Sequence, residues 1–253
     1  MFFLLSGEGA TDLGQSKGDA EISAGDDYEH GPMAILVSQI VESHDNYSPL
    51  ESQVFGFISK IQIKKKAQFL KAAKKSLRIR GRKQPIETRY FHNNARVLAK
   101  LAIECAEKRD EVVVAILFRD ADGTASSERG EWEAKRRSML DGFEAEGFTH
   151  GVPMIPNPKS EAWLLCALKE NPYQGCIALE DRSGNDNSPD SLKKELETLL
   201  AKLPPSESGS PRERLNSLVE SGTVDFARIT MPSFKAFREH LKRIIAPHAV
   251  EPA

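Results

Sequence analysis

Two short acidic stretches carry the clearest chemistry in this sequence. Gly7-Glu8-Gly9-Ala10-Thr11-Asp12 follows the mostly apolar run Phe2 to Ser6. Arg119-Asp120-Ala121-Asp122-Gly123-Thr124 follows a second run, Glu111 to Phe118. Four carboxylates gathered in a partly buried crevice repel one another. A divalent cation between them relieves that repulsion. With no Cys or His among the donors, the set suits a hard ion, Mg²⁺ or Mn²⁺. Such an ion polarises a phosphate oxygen and activates water. The same residue types also have a plainer use: Glu8 and Asp12 as loop acids, Asp120 and Asp122 as turn or cap residues.

The elements around these acids argue for the chemical reading. Phe2 to Ser6 reads as a short buried strand. Glu111 to Phe118 (EVVVAILF) is apolar after its first residue and β-branched near its start, as in the centre of a parallel sheet. In open α/β sheets the functional crevice lies beyond the carboxyl ends of the strands, where both acidic stretches sit. The pattern predicts helices from Pro32 to about Ser43, Asn93 to Lys108 with Asn93 or Asn94 as N-cap, Ser126 to Gly147 and Lys159 to Lys169. Val54 to Ile63 reads as a strand, His150 to Ile155 as an edge strand broken by Pro153, and Cys176 to Leu179 as a short strand. Strands alternating with helices indicate an α/β layer architecture. From Ser188 onward three helices, about 190–203, 211–220 and 232–245, are joined by Pro/Ser/Gly-rich links. The expected organisation is an α/β domain over 1–187, with a basic insert at about 59–90, and a helical C-terminal extension over 188–253 packed on it.

Charge is unevenly spread. The 253 residues carry a formal net charge of -2, yet Met1 to Ile58 holds ten acids and one base, Lys17, while Lys60 to Lys83 holds eleven bases and no acid. Lys64, Lys65, Lys66, Lys71, Lys74, Lys75, Arg78, Arg80, Arg82 and Lys83 form a block that attracts a polyanion or stands as a solvated face. Several fall on one face of a helix ended by Gly81. Such a ridge holds phosphates without reading sequence. Just downstream, Tyr90 or Phe91 is placed to stack on a base or to pack in the core. Cys105, Cys166 and Cys176 show no zinc spacing and read as buried thiols in a reducing compartment. Met-Phe-Phe-Leu-Leu lacks the basic start of a secretion signal, and no run reaches the roughly 18 apolar residues of a membrane span. A cytoplasmic protein is expected.

Strand–Glu8-Gly9-x-x-Asp12 followed by strand–Asp120-x-Asp122 resembles the Toprim domain of topoisomerases, bacterial primases and OLD-type nucleases. The resemblance implies a Rossmann-like, mostly parallel sheet flanked by helices. It implies that Glu8 is a metal ligand or general acid/base, and that Asp120 and Asp122 bind Mg²⁺ or Mn²⁺. The Glu8-x-x-x-Asp12 spacing looks like the nuclease branch, in which Asp12 also holds metal. Pro156-Asn157-Pro158-Lys159-Ser160-Glu161-Ala162-Trp163-Leu164-Leu165 is similar to a stretch of a small bacterial Toprim-like family often encoded beside ATPases. The resemblance covers about residues 1–190, and the long insert between Gly14 and Asn93 departs from a minimal domain. It implies phosphodiester hydrolysis of DNA or RNA, with antiviral defence and an ATPase partner by analogy. Glu161, on the first turn of its helix, is placed to complete a second metal site, and Lys159 to stabilise charge on a phosphate; a first-turn acid and a surface lysine are the alternative. Asp120-Ala121-Asp122-Gly123-Thr124 also resembles the first motif of haloacid-dehalogenase-type phosphatases, with Asp120 as nucleophile, though Glu8 and Asp12 then have no use. A catalytically silent Toprim-like module that docks a partner is the third reading.

Overall fold

The computed structural model describes residues 1–73, 86–121, 129–202 and 209–246. Its centre is a five-stranded sheet in the order β3-β5-β1-β6-β7. The strands are β1 (Phe2–Gly7), β3 (Ser23–Ala24), β5 (Phe55–Ser59), β6 (Val113–Phe118) and β7 (Gly151–Met154). β1 runs parallel to β5 on one side and β6 on the other, β7 runs parallel to β6, and only the two-residue edge strand β3 is antiparallel. A separate ribbon pairs β2 (Gly14–Ser16) with β4 (Tyr28–His30). Every residue of β1, β6 and β7 is buried, as a parallel sheet covered on both faces requires.

Alternation along the strands splits the core into two layers. Phe3, Leu5, Val114, Ile116 and Phe118 face α1 (Pro32–Asp45), α5 (Ser160–Leu168) and the C-terminal helices α7 (Leu192–Lys202), α8 (Pro211–Glu220) and α9 (Pro232–Ile245). Phe2, Leu4, Val113, Ala115 and Leu117 face α2 (Lys60–Ala73), α3 (Ile86–Arg109) and α4 (Arg129–Glu144). The chain is therefore α/β, with a mostly parallel sheet between two helical layers. The C-terminal helices share one continuous core with α1 and α5.

Several elements depart from the sequence reading. β5 stops at Ser59 and α2 starts at Lys60. Ile61 is 67% exposed while Ile63 is fully buried, so apolar spacing beyond Ser59 is helical rather than alternating. α3 begins at Ile86, which puts Asn93 and Asn94 inside the helix, with Asn94 buried. Close packing of α3 on α4 overrides the local capping preference of asparagine. Cys176 to Leu179 is not a strand; it leads into the short helix α6 (Ile177–Glu180). Pro153 sits inside β7, tolerated because that strand is paired on one side only.

The segment after β1 is folded back tightly. Gly31 donates its N–H to the Leu13 carbonyl, and Met33 N–H reaches the Asp12 carbonyl. A Cβ on Gly31 would lie 2.2 Å from the Asp12 carbonyl oxygen. Gly31→Ala is therefore expected to cost about 1–3 kcal/mol through forced backbone movement and to displace Asp12. A chemical denaturation curve indistinguishable from wild type would contradict this.

Candidate functional site

Glu8 and Asp12 follow the carboxyl end of β1, and Asp120 follows that of its neighbour β6. The third contributor is the first turn of α5, which follows β7. Ser160 opens that turn and is buried. Its hydroxyl donates to Asp12 Oδ1 at 2.5 Å, and its N–H donates to Asp120 Oδ1 at 3.2 Å. One serine thus joins the two acidic stretches. Sequence reasoning passed over Ser160. Its signal was its place at the first helical position, between Lys159 and Glu161.

Two of the carboxyls around Ser160, those of Asp12 and Glu161, are discouraged from ionising. Asp12 is pushed up to about 7, first by burial and then by the charges of Glu161 and Glu8, against the Ser160 hydrogen bond and Lys159. Burial also raises Glu161 above the ordinary carboxylate range. The Lys159 ammonium opposes both shifts and also pairs with Asp186. Its Nζ lies 2.7 Å from Asp186 Oδ1, and the Lys159 ammonium holds the Asp186 carboxyl below its usual range.

Glu8 has different company. Its Oε2 accepts from Lys60 Nζ at 2.7 Å, and its Oε1 accepts from the Tyr90 hydroxyl at 3.1 Å. Arg119 Nε stands 3.3 Å from Oε1. Arg119 is fully buried, its Nη1 bonded to the Phe118 carbonyl oxygen and reaching that of Ser6. Burial lowers its pKa, an effect opposed by Tyr90 and Glu8. For Lys60, burial works against the charge, but the Glu8 carboxylate outweighs it and the pKa rises. Lys60 and Arg119 were not singled out from sequence. Lys60 opens the basic run directly after β5, and Arg119 precedes Asp120, so both stood beside residues that were.

The expected four-carboxylate set is thus divided. Asp12, Asp120 and Glu161 gather on Ser160, while Glu8 is held by cations and a phenol. Asp122 lies outside the described residues. Among the described residues, no three His, Cys, Asp or Glu side chains converge closely enough to hold a metal ion. The donor chemistry nevertheless suits a hard cation: Asp12 and Glu161 are oxygen donors that burial discourages from ionising, and a cation beside them would restore the charged form.

Of the basic stretch, Lys64 and Lys65 are exposed on α2. Lys66 is paired with Glu104 at 3.0 Å and Glu21 at 3.5 Å. The Lys71 side chain and Lys74, Lys75, Arg78, Arg80, Arg82 and Lys83 lie outside the described residues. Cys166 and Cys176 are not separate thiols; they form a disulfide, while Cys105 is free and buried. The pair joins the end of α5 to the start of α6, two elements that pack on each other. Among the described residues, no helix is long and apolar enough to cross a membrane. Comparison of the chain with protein-family models, curated proteins and solved structures gives no match.

Proposed function

We propose that this chain is a Toprim-type nuclease that hydrolyses phosphodiester bonds of nucleic acid with Mg²⁺ or Mn²⁺. One arrangement carries the reading: acids from the carboxyl ends of the adjacent parallel strands β1 and β6 converge on Ser160, at the start of the helix after β7. Asp12, Asp120 and Glu161 would have to draw closer together to hold the cation, with Asp122 completing the Asp-x-Asp pair. When bound, the ion polarises a phosphate oxygen and acidifies water. Glu8 is the proton-handling carboxylate; Lys60, Tyr90 and Arg119 fix its orientation. Lys159 lies near enough to Asp12 and Glu161 to meet charge developing on a phosphate. The exposed lysines of α2 supply attraction for the polyanion. An ATPase partner and a role in antiviral defence follow from the family resemblance.

The test incubates wild type, Glu8→Ala and Asp120→Ala with plasmid DNA and total tRNA, in Mg²⁺, Mn²⁺ or EDTA. Cleavage that requires metal and is reduced at least 100-fold by either substitution is expected. No cleavage, together with hydrolysis of p-nitrophenyl phosphate abolished by Asp120→Ala alone, would replace this reading with the phosphatase one. Metal-dependent stabilisation without turnover would indicate the silent, partner-docking module.

A further inference from the structure

The connections leaving the sheet open a crevice beside β1. The chain after β1 crosses to α1 on one face, and the chain after β5 enters α2 on the other. Neighbouring strands whose connections part in this way leave a cleft at their carboxyl ends. A cleft of about 480 Å³ lies here, with Gly7, Gly9, Gly18, Ser59, Lys60 and Lys65 among its lining residues. Glycines let a ligand approach the main chain closely, and Gly9 is held at φ +78°. Lys60 belongs both to this cleft and to the Glu8 cluster, so the cleft adjoins Glu8.

Tyr90 stands at the same junction. It is 41% exposed, the only aromatic among the exposed large hydrophobic side chains of the described residues. It is also held in place. Its hydroxyl donates to Glu8, and the buried ring of Phe91 meets it edge-on at 5.8 Å. Lys60 Nζ lies 5.8 Å and Arg119 Cζ 5.9 Å from its ring centroid. Both cations lie over the ring, and its exposed part, beside a glycine-lined cleft with two lysines, matches the alternation of base and phosphate along one strand. A duplex keeps its bases stacked inward, so that ring would have nothing to receive.

Resting on the nuclease reading above, we infer that the polymer bound here is an unpaired strand. One base stacks on Tyr90 and the adjoining phosphate sits in the cleft between Lys60 and Lys65. The ring and the cleft lie on the Glu8 side of the site, so the flanking nucleotide is read there and the scissile phosphate falls toward Asp12, Asp120 and Glu161.

The test measures binding, not cleavage, by fluorescence anisotropy in EDTA. The probes are labelled 15-mers of thymidylate and of uridylate and a mixed-sequence 15-base-pair DNA duplex. Wild type is expected to bind at least one single strand ten-fold or more tighter than the duplex. Tyr90→Ala should weaken that binding about ten-fold and Tyr90→Phe much less. Gly18→Glu, at a position where an added Cβ meets nothing within 4 Å, and Lys65→Ala should each weaken it with the fold intact by circular dichroism. Equal affinity for duplex and single strand, no binding of either strand, or single-strand affinity unchanged in both Tyr90→Ala and Gly18→Glu would overturn the inference. If the duplex plasmid is still cut with metal, the nuclease reading survives that failure; if neither binding nor cutting occurs, both fall.

Discussion

Asp12→Asn is expected to make the protein more stable at neutral pH while removing the proposed metal-dependent activity. The Asp12 carboxyl is raised from 3.8 to about 7 in the folded chain. The folded state therefore holds this proton more tightly than the unfolded state. The Asp12 contribution is most favourable below about pH 4 and is lost as pH rises toward 7. The full shift corresponds to about 4 kcal/mol at 1.36 kcal/mol per unit. Asp12 keeps some access to solvent, and relaxation of its surroundings on ionisation reduces this to roughly 1–2 kcal/mol. Asparagine carries no charge and can still accept from the Ser160 hydroxyl. The gain over wild type should be near zero at pH 4 and largest at pH 7 to 8. Added Mg²⁺ should reverse the ranking. Binding to the native state stabilises it by mass action, and wild type should gain more than the variant, which lacks the carboxylate. Melting curves at several pH values, in EDTA and in millimolar Mg²⁺, measure all of this. A variant less stable than wild type at pH 8 in EDTA would show that Asp12 is a structural acid.

The central parallel strands were legible because they announce themselves, whereas β2, β3 and β4 fall in the polar, glycine-rich residues 14–31, which read as a loop. β6 is six consecutive apolar residues, and β1 is five residues closed by glycine. That Glu8, Asp12 and Asp120 follow the carboxyl ends of these strands could be read without knowing the sheet order. What lay beyond reach depended on tertiary neighbours. Ser160 looks like any helix-opening serine until Asp12 and Asp120 arrive from strands 148 and 40 residues away in sequence. The separation of Glu8 from the other acids is of the same kind. Nothing local says that a buried arginine beside Asp120 and a lysine opening α2 will meet Glu8. Tyr90, read from sequence as a stacking or a core residue, lies exposed because Phe91 takes the inward position on α3. The disulfide was missed because Cys166 lies in α5 and Cys176 just before α6, and only the packing of α5 against α6 brings them together.

Trp163→Ala is expected to be the most destabilising single change near the site. Trp163 is fully buried in α5, three residues after Ser160. Its ring meets Phe234 edge-on at 4.9 Å and stacks on Phe237 at 6.0 Å, both from α9. Its Nε1 donates to Ser233 Oγ at 2.8 Å, and Ser233 in turn donates its hydroxyl and its N–H to the buried Glu180 carboxylate. Glu180 thereby receives the first turn of α9, where a helix N-terminus favours negative charge. Truncation removes the ring, leaves a cavity and frees a polar chain built around Ser233. The expected cost is about 3–5 kcal/mol, or a melting temperature lower by roughly 10 °C for a chain of this size. Trp163→Phe keeps most of the packing and should lose about 1–2 kcal/mol, mainly the Ser233 bond. Because Trp163 lies within one turn of Ser160 and Glu161 on α5, loosening its seat on α9 should also loosen the hold on Asp12 and Asp120. Below the melting temperature, Trp163→Ala should therefore show weaker Mg²⁺ stabilisation than wild type, and Trp163→Phe nearly the same. If Trp163→Ala lowers stability as expected but leaves the Mg²⁺ response unchanged, the C-terminal helices support the fold without positioning the site.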